Sequence, residues 1–191
     1  MQTIQATNYS VFFNETGYEK LASYLVPTHY SKIFILVDEN TSQYCLPHLL
    51  NNLATEIEIE IIELEAGESH KNIATCTEVW AALSELGADR KSLIINLGGG
   101  VISDLGGFVA CTFKRGIDFI HIPTTLLAMV DAAIGGKTGI DLGPLKNQLG
   151  VFAHPKMIYV DPIFLCSLPA EEFLNGYAEM LKHGLIYDKA L

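Results

Sequence analysis

The sequence predicts an α/β protein with a mainly parallel sheet and helices on both of its faces. Short, largely β-branched apolar runs alternate with longer segments whose apolar residues recur at three- and four-residue spacing. This alternation is typical of βαβ units, in which each crossover helix covers the sheet. The composition agrees, since 49% of the 191 residues are hydrophobic and 18% are charged, as in globular proteins. No apolar run reaches the roughly 18–20 residues of a membrane span, so we expect no membrane partner.

The predicted elements follow one another along the chain. Apolar runs predict strands over residues 33–37, 57–64, 92–96, 118–122 and 156–160. Helical periodicity predicts helices over residues 42–53, 72–86 and 101–110, and Gly87 is a plausible C-terminal stop for the second of them. The carboxyl ends of parallel strands form the edge of a sheet at which ligands bind. Asp38 and Gly98 follow two of these strands, so both are expected at that edge.

The character of the chain changes after Pro155. Pro162 and Pro169 bracket a short connection to a helix predicted from residue 170 to about Asp188. One side of this helix carries an apolar stripe, formed by Leu174, Tyr177, Ala178, Leu181 and Leu185. A helix that offers such a stripe and then stops needs something to pack against. We therefore expect residues 1–168 to form one domain and residues 169–191 to begin a second, in a longer protein.

Charge and cysteine content limit the partners and the compartment. The formal net charge of −10 argues against nucleic acid or an anionic membrane as the main partner. The four cysteines are isolated from one another in the sequence, which predicts buried free thiols rather than disulfides or a sulfur metal site. Residues 1–10 lack the basic head and apolar centre of a secretory signal. A cytoplasmic location is expected.

A run of three glycines, Gly98 to Gly100, lies between a predicted strand and a predicted helix. Glycines let the backbone approach a pyrophosphate, and the following helix offers free N–H groups and the positive end of its dipole. The run predicts a site for a dinucleotide. It is not the GxGxxG pattern, because position 103 is a serine. A tight turn without a ligand is the alternative.

Two hydroxyls and an acidic residue follow the fourth predicted strand. Thr124 or Thr125 can cap a helix and still offer a hydroxyl to a ligand. Asp131 comes after mostly apolar residues, so it is either the partner of a nearby lysine or a catalytic acid or base. In the other half of the chain, Glu68 precedes a helix, where it serves a cap or binds ribose hydroxyls.

The lysines cluster in a short stretch. Lys137 follows two glycines and resembles the end of a P-loop, but the earlier glycine is replaced by Ala132 and a helix precedes the segment. Hydrolysis of a nucleoside triphosphate is therefore not expected. Lys146 and Asn147 come soon after. In so acidic a chain this clustering predicts an oxyanion site, the alternative being solvated surface lysines.

Eight short motifs, all in order from about residue 33 to the end, resemble those of the 3-dehydroquinate synthase family. They lie at residues 38–40, 67–71, 98–104, 113–116, 123–131, 135–137, 146–147 and 175–179. The resemblance implies a Rossmann-like NAD-binding domain over residues 1–168. It also implies that residues 169–191 begin a helical domain for metal and substrate, the rest of which would follow this chain.

The activity implied by this resemblance is lyase chemistry in the shikimate pathway, which leads to aromatic amino acids. The substrate, a phosphorylated keto acid, is 3-deoxy-D-arabino-heptulosonate 7-phosphate, and the products are 3-dehydroquinate and phosphate. NAD would oxidise the substrate transiently, and Zn²⁺ or Co²⁺ would polarise it. The implied NAD-binding residues are Asp38, Asn40, Glu68, Lys71, Gly99, Gly100, Val101, Ser103, Asp104, Thr124, Thr125, Lys137, Lys146, Phe164 and Ser167.

On the substrate side, the resemblance implies roles for Asp131, Lys137, Asn147 and Lys182, with Arg115 reaching the phosphate across a homodimer interface. Glu179 would be one metal ligand. His183 lies four residues later and could ligate the same ion. Because the family takes its two histidine ligands from the later domain, we do not count His183 among them. Ser167 replaces the family's usual threonine, and His154 lies in a departure from the family pattern, so it receives no role.

Three other functions stay open at this point. The chain could belong to another sugar phosphate cyclase, such as a deoxy-inosose or valiolone synthase, or to a metal-dependent polyol oxidoreductase of the glycerol dehydrogenase type. It could also be a catalytically empty nucleotide-binding module. If the resemblance is right, these 191 residues alone should be inactive, since two metal ligands and one wall of the pocket lie outside them.

Overall fold

A computed structural model describes residues 3–187, and they form a seven-stranded sheet and a separate two-stranded hairpin. In spatial order the sheet contains β1 (Ile4–Gln5), β2 (Ser10–Phe13), β9 (Ile158–Val160), β6 (Asp118–Pro123), β5 (Leu93–Gly98), β3 (Ile33–Asp38) and β4 (Ile59–Leu64). All pairs in it are parallel except that of β1 with β2. The predicted α/β class with a mainly parallel sheet is confirmed.

Side chains alternate between the two faces of the sheet, and each face is covered by its own helices. On one face, Ile33, Ile35 and Val37 of β3 pack in a core with Leu21 and Leu49 from two helices. On the other face, the intervening residues Phe34 and Leu36 pack with other helices that contribute residues such as Val79 and Leu105. Both faces of the strands are thus buried, which explains their unbroken apolar runs.

The helices are α1 (Glu15–Tyr24), α2 (Glu39–Tyr44), α3 (Leu46–Asn52), α4 (Ile73–Glu85), α5 (Gly100–Thr112) and α6 (Ala170–Ile186). The single helix predicted over residues 42–53 is two helices, which is a correction. Pro47 lies in the first turn of α3. Because proline has no N–H, it cannot continue the hydrogen-bond ladder of α2, but it is tolerated at a helix start.

Two parts of the fold were not predicted. The first is the N-terminal segment of β1, β2 and α1, which adds strands beside β9. The second is the hairpin of β7 (Lys137–Leu142) and β8 (Leu145–Phe152), which turns at Gly143 with φ of 58°. Most residues of β8 are exposed. It therefore lacks the apolar alternation that marks a half-buried strand.

The long C-terminal helix exists, and its apolar stripe is largely exposed. Leu174, Tyr177 and Leu181 are about half to two-thirds exposed, and Leu185 is 85% exposed. The helix contacts the rest of the described chain through Gly176, where an added Cβ would lie 2.5 Å from the backbone nitrogen of Leu127. The expected end near Asp188 lies outside the described residues.

The cysteine prediction is right about free thiols and partly wrong about burial. Cys45 and Cys76 are buried, Cys111 is half-buried and Cys166 is exposed on the short helical turn after β9. Burial raises the pKa of Cys45 to about 11 and that of Cys76 to about 12. Among residues 3–187 no helix is both long enough and apolar enough to cross a bilayer.

Candidate functional site

The glycine run forms the connection from β5 to α5 at the carboxyl edge of the sheet. Gly99 is the N-cap of α5, and because glycine has no side chain it cannot cap the N–H groups of the first turn. A Cβ on Gly99 would lie 2.9 Å from the Thr125 Cγ2 atom. The next strand ends alongside, since the Thr124 amide donates to the Gly98 carbonyl. The first turn of α5 therefore presents uncapped N–H groups at a narrow, Cβ-free turn, as a bound phosphate requires.

A buried lysine joins this turn to the hairpin. Lys71 is 4% exposed. Its Nζ atom donates to Asp104 Oδ2 at 2.5 Å and to Asn147 Oδ1 at 2.7 Å. Burial raises the pKa of Asp104, and the neighbouring Lys71 opposes that rise. Lys71 thus neutralises a carboxylate on the first turns of α5 and fixes one end of the Asn147 amide.

Further contacts hold the hairpin in place. The Asp141 amide donates to the Lys71 carbonyl, and Asp141 Oδ1 accepts from the Asn147 amide at 2.7 Å. Asn147 needs this support, because its φ of 53° is in the left-handed region. Lys146 forms an exposed ion pair with Glu68 at 3.1 Å. The loop before α4 and the tip of the hairpin are therefore linked by both buried and exposed contacts.

Four of the residues expected at the site line one cleft of about 510 Å³. They are Asp104, Asp131, Lys137 and Asn147. The Lys137 ammonium lies 3.8 Å from Asp131 Oδ1. The cleft has cationic and amide groups on the hairpin side, from Lys137 and Asn147, and two carboxylates on the helical side, from Asp104 and Asp131. It therefore suits a ligand with both hydroxyl and anionic groups.

A second cluster lies beside Asp131. That residue belongs to a π-helical turn, Ala128–Ala132, and α6 packs over the adjoining segment because Gly176 leaves room for it. This contact brings one ligand atom each of Asp131, Glu179 and His183 within 4.8 Å of one another. Lys182 forms an ion pair with Glu179 Oε1. That contact raises the pKa of Lys182.

The donor set of this cluster suits a divalent metal. Two carboxylates and an imidazole are ligands that Zn²⁺ and related ions accept. The Nε2 atom of His183 is buried and has no hydrogen-bond partner within residues 3–187. It faces Glu179 Oε1 at 3.5 Å and Asp131 Oδ1 at 4.0 Å. An ion between these atoms would satisfy a nitrogen that makes no hydrogen bond within the described residues.

Other residues expected to bind the cofactor lie around the same edge. Asp38 ends β3 and caps α2 by accepting from the Thr41 amide, and Asn40 is exposed on that helix. Thr125 Oγ1 accepts from the Ala128 amide, which confirms its capping role. Val101 is half-buried in the first turn of α5, and the Ser103 hydroxyl is buried without a hydrogen-bond partner in the described chain.

The structure does not bring all the expected residues together. Phe164 is buried in the core, with its ring against His48, so its side chain does not face the cleft. Ser167 donates to the Phe164 carbonyl at 3.1 Å. Arg115 follows the far end of α5, just before β6 begins. It therefore lies at the opposite edge of the sheet, about 20 Å along the helix from Gly100.

One contributor was missed in the sequence. The Gly135–Gly136 turn that leads to Lys137 is held by Tyr9, whose hydroxyl accepts from the Gly135 amide at 2.9 Å. The His154 ring stacks on Tyr9, with centroids 5.7 Å apart, and packs against Gly136. His154 therefore supports the turn. Since Tyr9 lies far from this turn in the sequence, no local pattern could have indicated the contact.

Known proteins match this chain in both sequence and structure. The family description of the N-terminal part of 3-dehydroquinate synthases matches residues 61–175. The 3-dehydroquinate synthase of Parabacteroides distasonis is 48% identical over 167 residues, which cover 87% of this chain and 47% of that protein. The chain spans about half the length of the curated relatives it matches.

Two solved structures of synthases share the fold. One is 2-deoxy-scyllo-inosose synthase in complex with carbaglucose-6-phosphate, NAD⁺ and Co²⁺, with a TM-score of 0.88 and 26% identity over 97% of this chain and 52% of that one. The other is 2-epi-5-epi-valiolone synthase from Streptomyces hygroscopicus with NAD⁺ and Zn²⁺, with a TM-score of 0.82 and 30% identity over 100% of this chain and 53% of that one. Since the family description covers more than half of the sequence, this chain belongs to the 3-dehydroquinate synthase family.

Proposed function

We propose that this chain is the NAD-holding half of a 3-dehydroquinate synthase. The reaction converts 3-deoxy-D-arabino-heptulosonate 7-phosphate to 3-dehydroquinate with release of phosphate, so the enzyme is a carbon–oxygen lyase. The observation that carries the proposal is the cleft of about 510 Å³, in which Asp131, Lys137 and Asn147 lie beside Asp104 of α5. Family membership supports the same reaction.

NAD would lie along the carboxyl edge of the sheet. Its pyrophosphate fits the uncapped start of α5 at Gly99, Gly100 and Val101. Asp38, Asn40, Glu68 and Lys71 would hold the adenosine side, while Asp104, Ser103, Thr124, Thr125, Lys137 and Lys146 would complete the site. Phe164 is buried, so it would contribute only through its backbone, next to Ser167. The structural relatives solved with NAD⁺ support this cofactor.

Bound NAD would accept a hydride from the substrate and return it later, and a bound Zn²⁺ or Co²⁺ would polarise a substrate oxygen. The residues of this chain orient the sugar acid for that chemistry. Lys137 and Asn147 would hold its hydroxyls, with Lys71 fixing the far side of the Asn147 amide. Lys137 and Lys182 would stabilise negative charge as phosphate departs. Asp131 would accept from a hydroxyl, and Glu179 would supply one metal ligand.

A homodimer is part of the proposal. Arg115 lies at the edge of the sheet opposite the cleft, so it can meet a substrate phosphate only in another protomer's site. Arg115 has a left-handed φ of 75°, and Lys114 before it has a left-handed φ of 48°. The two residues therefore form a defined turn rather than the end of a helix. A cytoplasmic location stays a prediction, which the four free thiols support.

Fusing this chain to the C-terminal remainder of the Parabacteroides distasonis relative tests the proposal. We expect the fusion to release phosphate from the heptulosonate phosphate without net NADH, and to lose this activity with a chelator. We expect no turnover by the 191-residue chain alone, because the remaining metal ligands lie in the other half. Lys137→Met in the fusion should abolish turnover, while Lys20→Met, on the surface of α1, serves as the matched control.

The competing functions give different results in the same assays. Net NADH formation from a simple alcohol would instead identify a polyol oxidoreductase. Turnover of a different sugar phosphate, with no activity on the heptulosonate, would identify another cyclase. Failure to bind NAD in calorimetry would identify an empty module. Turnover by the 191 residues alone would contradict the proposed division of the active site.

A further inference from the structure

The turn that leads to Lys137 depends on contacts from distant parts of the chain. Gly135 and Gly136 have φ of 92° and 70°, in the left-handed region that glycine reaches readily. Because glycine also has more conformational freedom than any other residue, two in succession form a loose link. The side chain of Lys137 is 61% exposed at the start of β7. Neither the turn nor the exposed side chain therefore fixes where the ammonium lies.

Tyr9, in the N-terminal segment, anchors this turn. Its hydroxyl accepts from the Gly135 amide at 2.9 Å, across 126 residues of sequence. The Tyr9 side chain is buried and packs in a small core with Val11 of β2 and Ile158 of β9. These two residues are paired neighbours in the sheet. Since protein cores are closely packed, the ring holds its hydroxyl at a fixed point relative to the sheet.

The segment of Ala153 and His154 holds the turn from another direction. The Ala153 amide donates to the Gly136 carbonyl at 2.9 Å. A Cβ on Gly136 would lie 2.6 Å from His154 Nδ1, so the imidazole packs directly against the turn. The same imidazole stacks on the Tyr9 ring, with 24° between the two planes. Tyr9 and His154 thus contact each other as well as the two glycines.

The Tyr9 hydroxyl contributes more to the position of the turn than to the stability of the fold. Gly135 is exposed, so water can take over the hydrogen bond of its amide when the hydroxyl is removed. The Tyr9 ring would keep its packing in the core. A water molecule, however, does not tie the turn to the sheet. Catalytic groups must be placed closely, since a misplacement of about 1 Å can cost about 100-fold in rate.

We infer that Tyr9 is a positioning residue for Lys137, and that the His154 ring keeps the Tyr9 hydroxyl directed at the turn. The inference rests on the proposed function, in which the Lys137 ammonium stabilises negative charge as phosphate departs. That charge develops in the transition state. A displaced ammonium therefore lowers kcat more than it raises KM. The N-terminal segment would thereby support the active site as well as extend the sheet.

Tyr9→Phe, which removes only the hydroxyl, tests the inference in the fusion with the C-terminal remainder of the Parabacteroides distasonis relative. We expect kcat for phosphate release to fall about ten-fold or more, while KM for the heptulosonate phosphate changes less than about three-fold. The matched control is Tyr30→Phe. Tyr30 is equally buried, and its hydroxyl donates to Asp118 at the opposite edge of the sheet. The control should keep its kcat, and both variants should unfold at similar temperatures.

Two substitutions of His154 test the stacked ring. His154→Ala removes the ring and should lower kcat several-fold. His154→Phe restores a flat ring against Tyr9 and should recover most of that loss. Equal kcat values for these two variants would show that the ring has no part in positioning the turn.

Hydrogen exchange of the Gly135 amide, followed by NMR in the 191-residue chain, gives a readout that needs no activity. Tyr9→Phe should speed this exchange about ten-fold and leave the amides of β5 unchanged. An active fusion in which Tyr9→Phe and Tyr30→Phe have equal kcat would overturn the inference and leave the proposed function standing. Unchanged Gly135 exchange, or a kcat loss that accompanies a clear fall in unfolding temperature, would overturn it as well. A fusion that is silent without any substitution would contradict the proposed function itself.

Discussion

Replacing Lys71 with methionine should destabilise the chain by about 2–4 kcal/mol. The side chain of Lys71 is 5% exposed and that of Asp104 is 19% exposed, so the pair is nearly removed from water. Breaking a buried pair by removing one partner costs about 3–5 kcal/mol, because the other charge is left uncompensated. The partial exposure of Asp104 lowers this figure, since water can solvate its carboxylate in part. Methionine keeps the apolar stem of the lysine and isolates the effect of the charge.

The double variant Lys71→Met/Asp104→Asn is the matched control, because it removes both charges. We expect the free energy of unfolding of this double variant to exceed that of Lys71→Met by at least about 1 kcal/mol. Urea unfolding monitored by circular dichroism measures both differences. In thermal unfolding, a loss of about 3 kcal/mol corresponds to roughly 6–12 °C for a chain of this size.

The pH dependence gives a second check on the same pair. Burial raises the pKa of Asp104 in the folded state, and Lys71 opposes this effect. Without Lys71 the folded-state pKa rises further, so the folded variant binds a proton that the unfolded chain releases. Its stability is therefore recovered as the pH falls through that raised pKa and is lost as the pH rises through it. The deficit of Lys71→Met should therefore shrink as the pH falls from neutral towards about 3.9, the pKa of an aspartate in the unfolded chain. A cost below about 1 kcal/mol, or a deficit that does not change with pH, would refute this reasoning.

Two further predictions concern buried residues near α5: the packing of Gly106 and the pH dependence of stability that His121 causes. Gly106→Ala should cost about 1–3 kcal/mol, because its Cβ would lie 1.9 Å from Oδ1 of the fully buried Asn96. The control Thr112→Ala, on the exposed end of the same helix, should change the free energy of unfolding by only about 0.5 kcal/mol. If both variants lose the same free energy of unfolding in urea, the packing argument is contradicted. Burial lowers the pKa of His121 to about 3, so the unfolded chain binds the proton that the folded chain excludes. Stability should therefore fall by about 1.4 kcal/mol per pH unit as the pH drops from about 6.5 towards 3, and His121→Gln should remove this slope relative to the unsubstituted chain.

The layered core of the fold could be predicted because its signals are local. The runs in β3 and β5 are apolar on both faces, and Gly98 to Gly100 mark the turn between β5 and α5. Each of these features is visible within a few residues. The hairpin gave no such signal, because the exposed β8 is held by Lys71 and by its pairing with β7 rather than by an apolar face.

The composition of the site was predictable, but its connections were not. The resemblance to a known family indicated Asp131, Lys137 and Asn147, and the cleft brings them together. That Lys71 binds Asn147 depends on a contact across 76 residues of sequence. The placement of His183 beside Asp131 depends on the packing of Gly176 against Leu127. Such long-range contacts arise from tertiary packing, which no local pattern encodes.

Calorimetric titration of NAD into the 191-residue chain tests most directly whether the turn of Gly98 to Gly100 before α5 holds NAD, as proposed. The unsubstituted chain should bind one NAD. Gly99→Val should weaken binding at least ten-fold, a loss of about 1.4 kcal/mol. The added side chain would contact Thr125 and occupy the space in which a phosphate would approach the first turn of α5. Ala54→Val, which adds the same bulk at an exposed position, should bind as the unsubstituted chain does. No binding by the unsubstituted chain, or equal binding by the Gly99 variant, would contradict the account.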